Sequence, residues 1–181
     1  MIQMHPTVSF ENEMLQVVSD DDTLLRYDTK NACHVFPGVL HRAFSAFIFD
    51  KQGRVLIQKR SVQKKLWPGF WANSCCSHPR SDESMDSAVV RRVREELGLT
   101  LVPRFVYRFV YQAHYLNVGS EYELCSVYSA VCKDASTIVV NPHEIADWKF
   151  VEPDWLTSQL ETFPELYSPW LHLEWAERAK F

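Results

Sequence analysis

Apolar residues recur along this chain at two spacings. From Ala43 to Phe49 runs a short apolar stretch with β-favouring aromatics, Asp50-Lys51-Gln52-Gly53 follows, and Val55, Leu56 and Ile57 resume the pattern. Run, turn and run predict a β-hairpin. Arg104–Leu116 and Glu121–Val131 are rich in Phe, Tyr and Val and are parted by Asn117-Val118-Gly119-Ser120, which predicts a second hairpin. Asp147–Val151 predicts one more short strand. Between the hairpins the period changes. Met85, Val89 and Val93 lie four apart, with Ala88 and Leu97 nearby, as on the apolar stripe of a helix. Ser81 or Asp82 is expected to cap that helix and Gly98 to stop it. Pro153 and Pro169 suit a first helical turn, predicting helices over about 153–160 and 169–180. Residues 1–20 are weakly patterned, Asp20-Asp21-Asp22 reads as a polar turn, and Trp67-Pro68-Gly69-Phe70-Trp71 reads as an aromatic turn ahead of Asn73–Pro79. With no internal repeat and no linker, the pattern predicts one α+β domain, helices packed on a mostly antiparallel or mixed sheet.

Composition narrows this further. The 181 residues suit one domain, and 46% hydrophobic with 23% charged residues excludes wholesale disorder. A net charge of −4 excludes a protein that holds nucleic acid mainly by charge, but leaves room for a local basic patch facing a phosphorylated small molecule. No apolar run approaches the roughly 18 residues that span a bilayer. Met1–Phe10 lacks the basic-then-apolar layout of an export signal, so a cytoplasmic protein with no membrane and no nucleic-acid partner is expected. The five cysteines are then expected to be free thiols, and pairing the adjacent Cys75 and Cys76 would strain the backbone.

Four features bear on chemistry. In a strand, Glu121 and Glu123 point the same way, and two neighbouring carboxylates repel, which favours a bound cation or one raised pKa. A solvated strand face is the alternative, though Leu124 and Val127 close behind make the strand half-buried. His34, His41 and His78 together with that pair make a plausible metal set; as single residues they would be structural histidines. In Asn73-Ser74-Cys75-Cys76-Ser77-His78-Pro79 a Cys stands two residues before a His: a metal pair, a nucleophile with its base, or a buried thiol. On composition either thiol qualifies. Finally, Arg91-Arg92-Val93-Arg94-Glu95-Glu96-Leu97-Gly98 is either a charged helix face with internal ion pairs, or a site where Glu95 and Glu96 hold a hard cation such as Mg²⁺ on phosphate oxygens. Arg60, Lys64 and Arg92 are then natural phosphate partners.

Taken together these pieces resemble the Nudix fold. The Nudix box lands on Ser77–Leu99: Glu83, Arg91, Val93, Glu95, Glu96, Gly98 and Leu99 match, Ser77 replaces its first Gly, and Arg92 replaces the first glutamate of its R-E-U-x-E-E run. The lost carboxylate compromises metal-assisted P–O cleavage and adds a basic group suited to a diphosphate. A closer resemblance, over roughly Lys30 to Trp170, is to the type 1 isopentenyl-diphosphate isomerases. It is carried by His34 and His41, Arg60 with Ser61 to Lys65, Trp67-Pro68-Gly69, Asn73-Ser74-x-Cys76-x-His78-Pro79, Glu121-x-Glu123-x-Cys125 and Ser168-Pro169-Trp170. That family commonly has Gly where Ser77 stands between the Cys and the His.

The resemblance implies a Nudix-like mixed sheet flanked by helices, with residues 1–29 an N-terminal segment and 30–181 the isomerase domain. It implies that His34, His41, His78, Glu121 and Glu123 bind one divalent metal, Zn²⁺ or Mn²⁺. Glu96 with the backbone carbonyl of Cys76 would hold a Mg²⁺ that touches the substrate diphosphate. Lys30, Arg60, Lys64 and Arg92 match diphosphate contacts. It selects Cys76 rather than Cys75 as the reactive thiol and pairs it with Glu123 for proton transfer, with Tyr111 and Trp170 lining the apolar end. The implied reaction is the reversible proton shift between isopentenyl and dimethylallyl diphosphates by a monomer or homodimer. The competing readings are a Nudix pyrophosphatase and a catalytically silent binding module.

Overall fold

The computed structural model describes residues 5–181; residues 1–4, part of the segment read for an export signal, lie outside it. Nine strands share one sheet: β1 (Met14–Val18), β2 (Leu24–Thr29), β3 (His41–Phe49), β4 (Val55–Arg60), β5 (Trp71–Ala72), β6 (Cys75–Ser77), β7 (Arg104–Tyr115), β8 (Gly119–Val131) and β9 (Ile145–Val151). The helices are α1 (Lys30–His34), α2 (Met85–Leu97), α3 (Pro153–Thr162) and α4 (Pro169–Ala176).

β3 organises the sheet. Along one edge it pairs in parallel with β8 over its whole length, from His41↔Glu123 to Phe49↔Val131. Its other edge is shared by antiparallel partners: β1 at His41, β6 at Phe44 to Ala46, and β4 at Phe49. The sheet is therefore mixed. Both faces of β3 are covered, which is why it reads as one apolar run rather than an alternation. Phe44, Ala46 and Ile48 pack with Ala88, Val89, Val93 and Leu97 of α2. Phe47, Val127, Leu156, Leu160, Leu171 and Trp175 pack on the opposite side with α3 and α4. Each fully buried Val, Leu or Phe contributes about 1.5–3 kcal/mol. Among the described residues no helix is long and apolar enough to cross a membrane, and all five cysteines are free.

Several local expectations are corrected. The Asp50–Gly53 turn forms, with Asp50 N–H on the Arg54 carbonyl at 2.9 Å and Gly53 at φ 82°. Yet β3 and β4 pair only at Phe49↔Val55 and then diverge, because β6 and β8 occupy β3 while β4 pairs with β9 and β5. The α2 cap is Ser84, whose side chain accepts from Ser87 N–H, not Ser81 or Asp82; Gly98 ends the helix in the left-handed region as expected. The last helix stops at Ala176, and a 3-10 turn follows over Arg178–Lys180. Within the weakly patterned start, β1 is hydrogen-bonded to β2 and β3. Its short run Met14–Val18 acquires strand structure from those partners. The β7/β8 hairpin and β9 form as expected.

Candidate metal centre and catalytic cavity

Four chain segments bring five ligand side chains together. In α1, capped by the Thr29 side chain, His34 stands one turn after Lys30, and its Nδ1 lies 2.6 Å from the Lys30 carbonyl oxygen. At the start of β3, His41 Nδ1 lies 2.7 Å from the Val39 carbonyl oxygen. A carbonyl can only accept, so both rings carry their proton on Nδ1 and turn the Nε2 lone pair inward. His78 follows β6. Glu121 and Glu123 share one face of β8 by its two-residue period, and the register sets Glu123 beside His41. The three ring centroids lie 4.8–5.1 Å apart. One ligand atom from each of the five residues falls within 4.8 Å of every other.

The electrostatics of this cluster call for a cation. His34 Nε2 is 2.7 Å from Glu121 Oε2, and His78 Nε2 is 3.0 Å from Glu123 Oε1. Among the described residues, His41 Nε2 and Glu121 Oε2 are buried without a hydrogen-bond partner. Such orphans are costly unless something outside the chain satisfies them. Burial, then the charge of His34, lowers the His41 imidazole to about 3, so it stays a neutral donor. Burial, then the Glu121 carboxylate, pushes the Glu123 carboxyl well up. Three imidazoles and two carboxyl groups converging on one point fit a divalent metal.

Beside this centre opens a cavity of about 350 Å³. Lys30, Arg60, Lys64, Cys76, His34, His78, Glu121, Glu123, Tyr111 and Trp170 all line it. The Tyr111 hydroxyl donates to Glu123 Oε2 at 2.7 Å, a contact set by the cross-strand pair Tyr111↔Glu123. Cys76 is half-buried and pairs across β6/β3 with Ser45, whereas β8 runs on the far edge of β3. The thiol and Glu123 therefore reach the cavity from strands on opposite edges of β3. Burial pushes the Cys76 thiol far up, with Arg60 opposing, so it is a neutral thiol. Cys75 points the other way, fully buried in the core under α2. Trp170 is held edge-on by Trp67, with centroids 5.3 Å apart at 90°, and Arg60 stands over its ring at 5.2 Å.

Arg60 donates to the carbonyls of Leu66 and Trp67 at 2.8 and 3.1 Å, which fixes its guanidinium beside Trp170. Burial, with Lys64 and Arg92 nearby, lowers the Lys30 ammonium to about 8. Two expected residues stand elsewhere. Arg92, read as a diphosphate contact, does not line the cavity. It is 2% exposed and pairs with Glu96 Oε1 at 2.6 Å and Glu144 Oε2 at 3.4 Å. Glu96, read as a Mg²⁺ ligand, lies behind the wall with that oxygen taken by Arg92. The matching box residues Glu83 and Arg91 form a two-pronged ion pair, at 2.7 Å on each prong, that ties the loop before α2 to the helix.

The cavity also has a residue the motifs did not single out. Glu144 lines it and pairs with Lys64 at 2.6 Å. Burial works against its charge, yet Lys64 and Arg92 hold its carboxyl well below the usual range. Its short Asn-Pro-His-Glu setting carries no spacing signal; only the fold brings it to Lys64.

A family model described as NUDIX domain matches residues 39–173. An Isopentenyl-diphosphate Delta-isomerase 1 from Photorhabdus laumondii subsp. laumondii is 38% identical over 167 residues, covering 91% of this chain and 94% of that protein. An Isopentenyl-diphosphate Delta-isomerase from Clavibacter michiganensis subsp. michiganensis is 38% identical over 168 residues, covering 90% and 84%. Among solved structures, DR0079 from Deinococcus radiodurans superposes with a TM-score of 0.68 at 23% identity, over 83% of this chain and 90% of that one, which is a likeness of fold.

Proposed function

The chain belongs to the Nudix family and, at 35–40% identity to relatives of that name, to the isopentenyl-diphosphate Delta-isomerases within it; from this premise we propose how its own residues move the double bond. The protein interconverts isopentenyl and dimethylallyl diphosphates. The observation that carries the assignment of roles is the mixed lining of one cavity. The basic Lys30, Arg60 and Lys64 line the same cavity as Cys76, Glu123, Tyr111 and Trp170, which suits an anionic head with a short hydrocarbon tail.

The reaction adds a proton to the terminal alkene carbon and removes one from the carbon two bonds away, through a tertiary carbocation. Cys76 and Glu123 are the two proton-transfer groups, one on each side of the tail. In one direction a group gives the proton and its opposite takes one; in reverse the roles exchange. The Tyr111 hydroxyl on Glu123 Oε2 orients that carboxyl toward the tail. Trp170 presents an aromatic face to the cation, worth about 2 kcal/mol or more in a dry pocket, and offers no atom that captures it. The basic residues hold the diphosphate, and this remote binding energy orients the tail. His34, His41, His78, Glu121 and Glu123 would hold one Zn²⁺ or Mn²⁺, which would polarise Glu123, and Glu96 with the Cys76 carbonyl would hold a Mg²⁺, which would offset phosphate charge. Arg92 holds Glu96 through Oε1 alone, and a role for Arg92 at the diphosphate would need that pair to open.

Hydrolysis of a nucleotide-type diphosphate is the competing Nudix chemistry. Arg92 stands where the box carries a glutamate and is itself paired with Glu96, which removes carboxylate charge from the hydrolytic position. Incubation with isopentenyl diphosphate in D₂O separates the two. Deuterium in dimethylallyl diphosphate is expected, and chelation of the metal should stop its incorporation. Phosphate release without isomerisation would overturn the assignment.

A further inference from the structure

Asn73 has no exposed surface and carries no charge, and nothing above gives it a role. It sits where the chain passes from β5 to β6. Its Oδ1 accepts from Trp170 Nε1 at 3.1 Å, and its Nδ2 donates to the Cys75 carbonyl at 3.2 Å. That carbonyl belongs to the peptide that leads directly into Cys76. One side-chain amide thus joins the strand bearing the thiol to the indole on α4.

We propose that Asn73 is a positioning residue for the isomerisation, clamping the Cys75–Cys76 peptide and the Trp170 indole in one geometry so that thiol and aromatic face meet the tail together. The inference rests on the roles given above to Cys76 and Trp170. Trp170 is only 2% exposed, so without Asn73 its N–H is left unpaired in the interior and the ring is driven to turn toward another acceptor. Its contacts with Trp67 and Arg60 set the ring plane but lack the directionality of an N–H···O bond. An acceptor on the indole N–H also raises electron density on the ring, the sign that favours an adjacent cation. A neutral amide does this without placing a nucleophilic carboxylate near the carbocation.

The test compares the metal-loaded wild type with Asn73→Ala and Trp170→Phe. Readouts are kcat and KM for isopentenyl diphosphate, the Kd of inorganic pyrophosphate, and the Kd of a diphosphate whose tail has a tertiary ammonium in place of the tertiary carbon. For Asn73→Ala, kcat should fall about a hundredfold while KM stays within about threefold. The ammonium compound should bind about tenfold more weakly and pyrophosphate unchanged. The double variant should be little worse than either single one, as expected for two residues acting as a unit. A purely structural role would lower thermal stability without separating the two ligands. Wild-type kcat in a folded Asn73→Ala, or fully multiplicative losses in the double variant, would overturn the inference. If Asn73→Ala does not fold, the same measurements on Asn73→Asp, which keeps the indole acceptor and loses the amide donor, decide it; wild-type kcat there overturns it too. Unchanged kcat and ammonium affinity in Trp170→Phe would instead fault the reading of the site, and this inference with it.

Discussion

Replacing Glu174 by glutamine tests how the interior beneath the cavity tolerates an acid. Glu174 lies on α4 with no exposed surface, Oε1 3.7 Å from the Cys125 sulfur and Oε2 without a hydrogen-bond partner among the described residues. Burial raises its carboxyl from 4.5 to about 8, with Ser45 and Cys125 only partly opposing. An acid whose native pKa exceeds its unfolded one holds a proton in the native state alone between the two values. Stability is therefore highest below about 4.5, falls as pH rises toward about 8, and levels off above it. The slope reaches about 1.4 kcal/mol per pH unit, so from about pH 5 to about pH 8 the loss is about 4 kcal/mol. Glutamine does not titrate, and Glu174→Gln should flatten this component. Its amide leaves one buried donor unpaired, at a pH-independent cost of about 1–3 kcal/mol. The variant should thus be the less stable protein at the acid end and equal or better at the alkaline end. Urea unfolding across this range, at fixed metal and ionic strength, measures it. Titrating groups beyond the reach of the Glu174 charge cancel in the difference between the two proteins. Parallel stability curves would refute the reasoning.

Further outcomes follow from the site. Cys76→Ala and Glu123→Gln should each nearly abolish turnover with the fold intact, whereas Cys75→Ala, in the core under α2, should keep kcat near wild type; equal losses from both cysteines would show the thiol wrongly chosen. Arg92→Ala should raise KM and also strand Glu96 as an uncompensated buried charge, costing about 3–5 kcal/mol in urea unfolding; a variant as stable as wild type contradicts the buried network. A Cβ on Gly119 would meet the His34 carbonyl at 2.6 Å. Gly119→Ala should therefore shift α1 and weaken metal binding about tenfold or more by competition with a chromophoric chelator. Unchanged affinity would mean the loop yields without moving His34.

Much of the fold was legible because its signals are local. The stripe Met85, Val89, Val93 and the left-handed Gly98 specify α2, and the aromatic runs around Asn117–Ser120 specify the β7/β8 hairpin. Pairing partners were less so. The tight turn at Asp50–Gly53 made β3 and β4 look like hairpin mates, yet a turn constrains only the residues it closes. Which strand takes each edge of β3 depends on chain segments far away in sequence.

The same division runs through the site. Residue types were enough to offer His34, His41, His78, Glu121 and Glu123 as a metal set, since imidazole and carboxylate carry their chemistry with them and a strand's two-residue period aligns the glutamates by itself; only the family resemblance chose Cys76 over Cys75. Tertiary structure alone decided that Arg92 and Glu96 bind each other behind the cavity wall, that Glu144 neutralises Lys64, and that Asn73 joins Trp170 to the Cys75 peptide. Buried charges and amides take their meaning from whichever partners enclose them, and enclosure is a property of packing between distant segments rather than of any stretch of sequence.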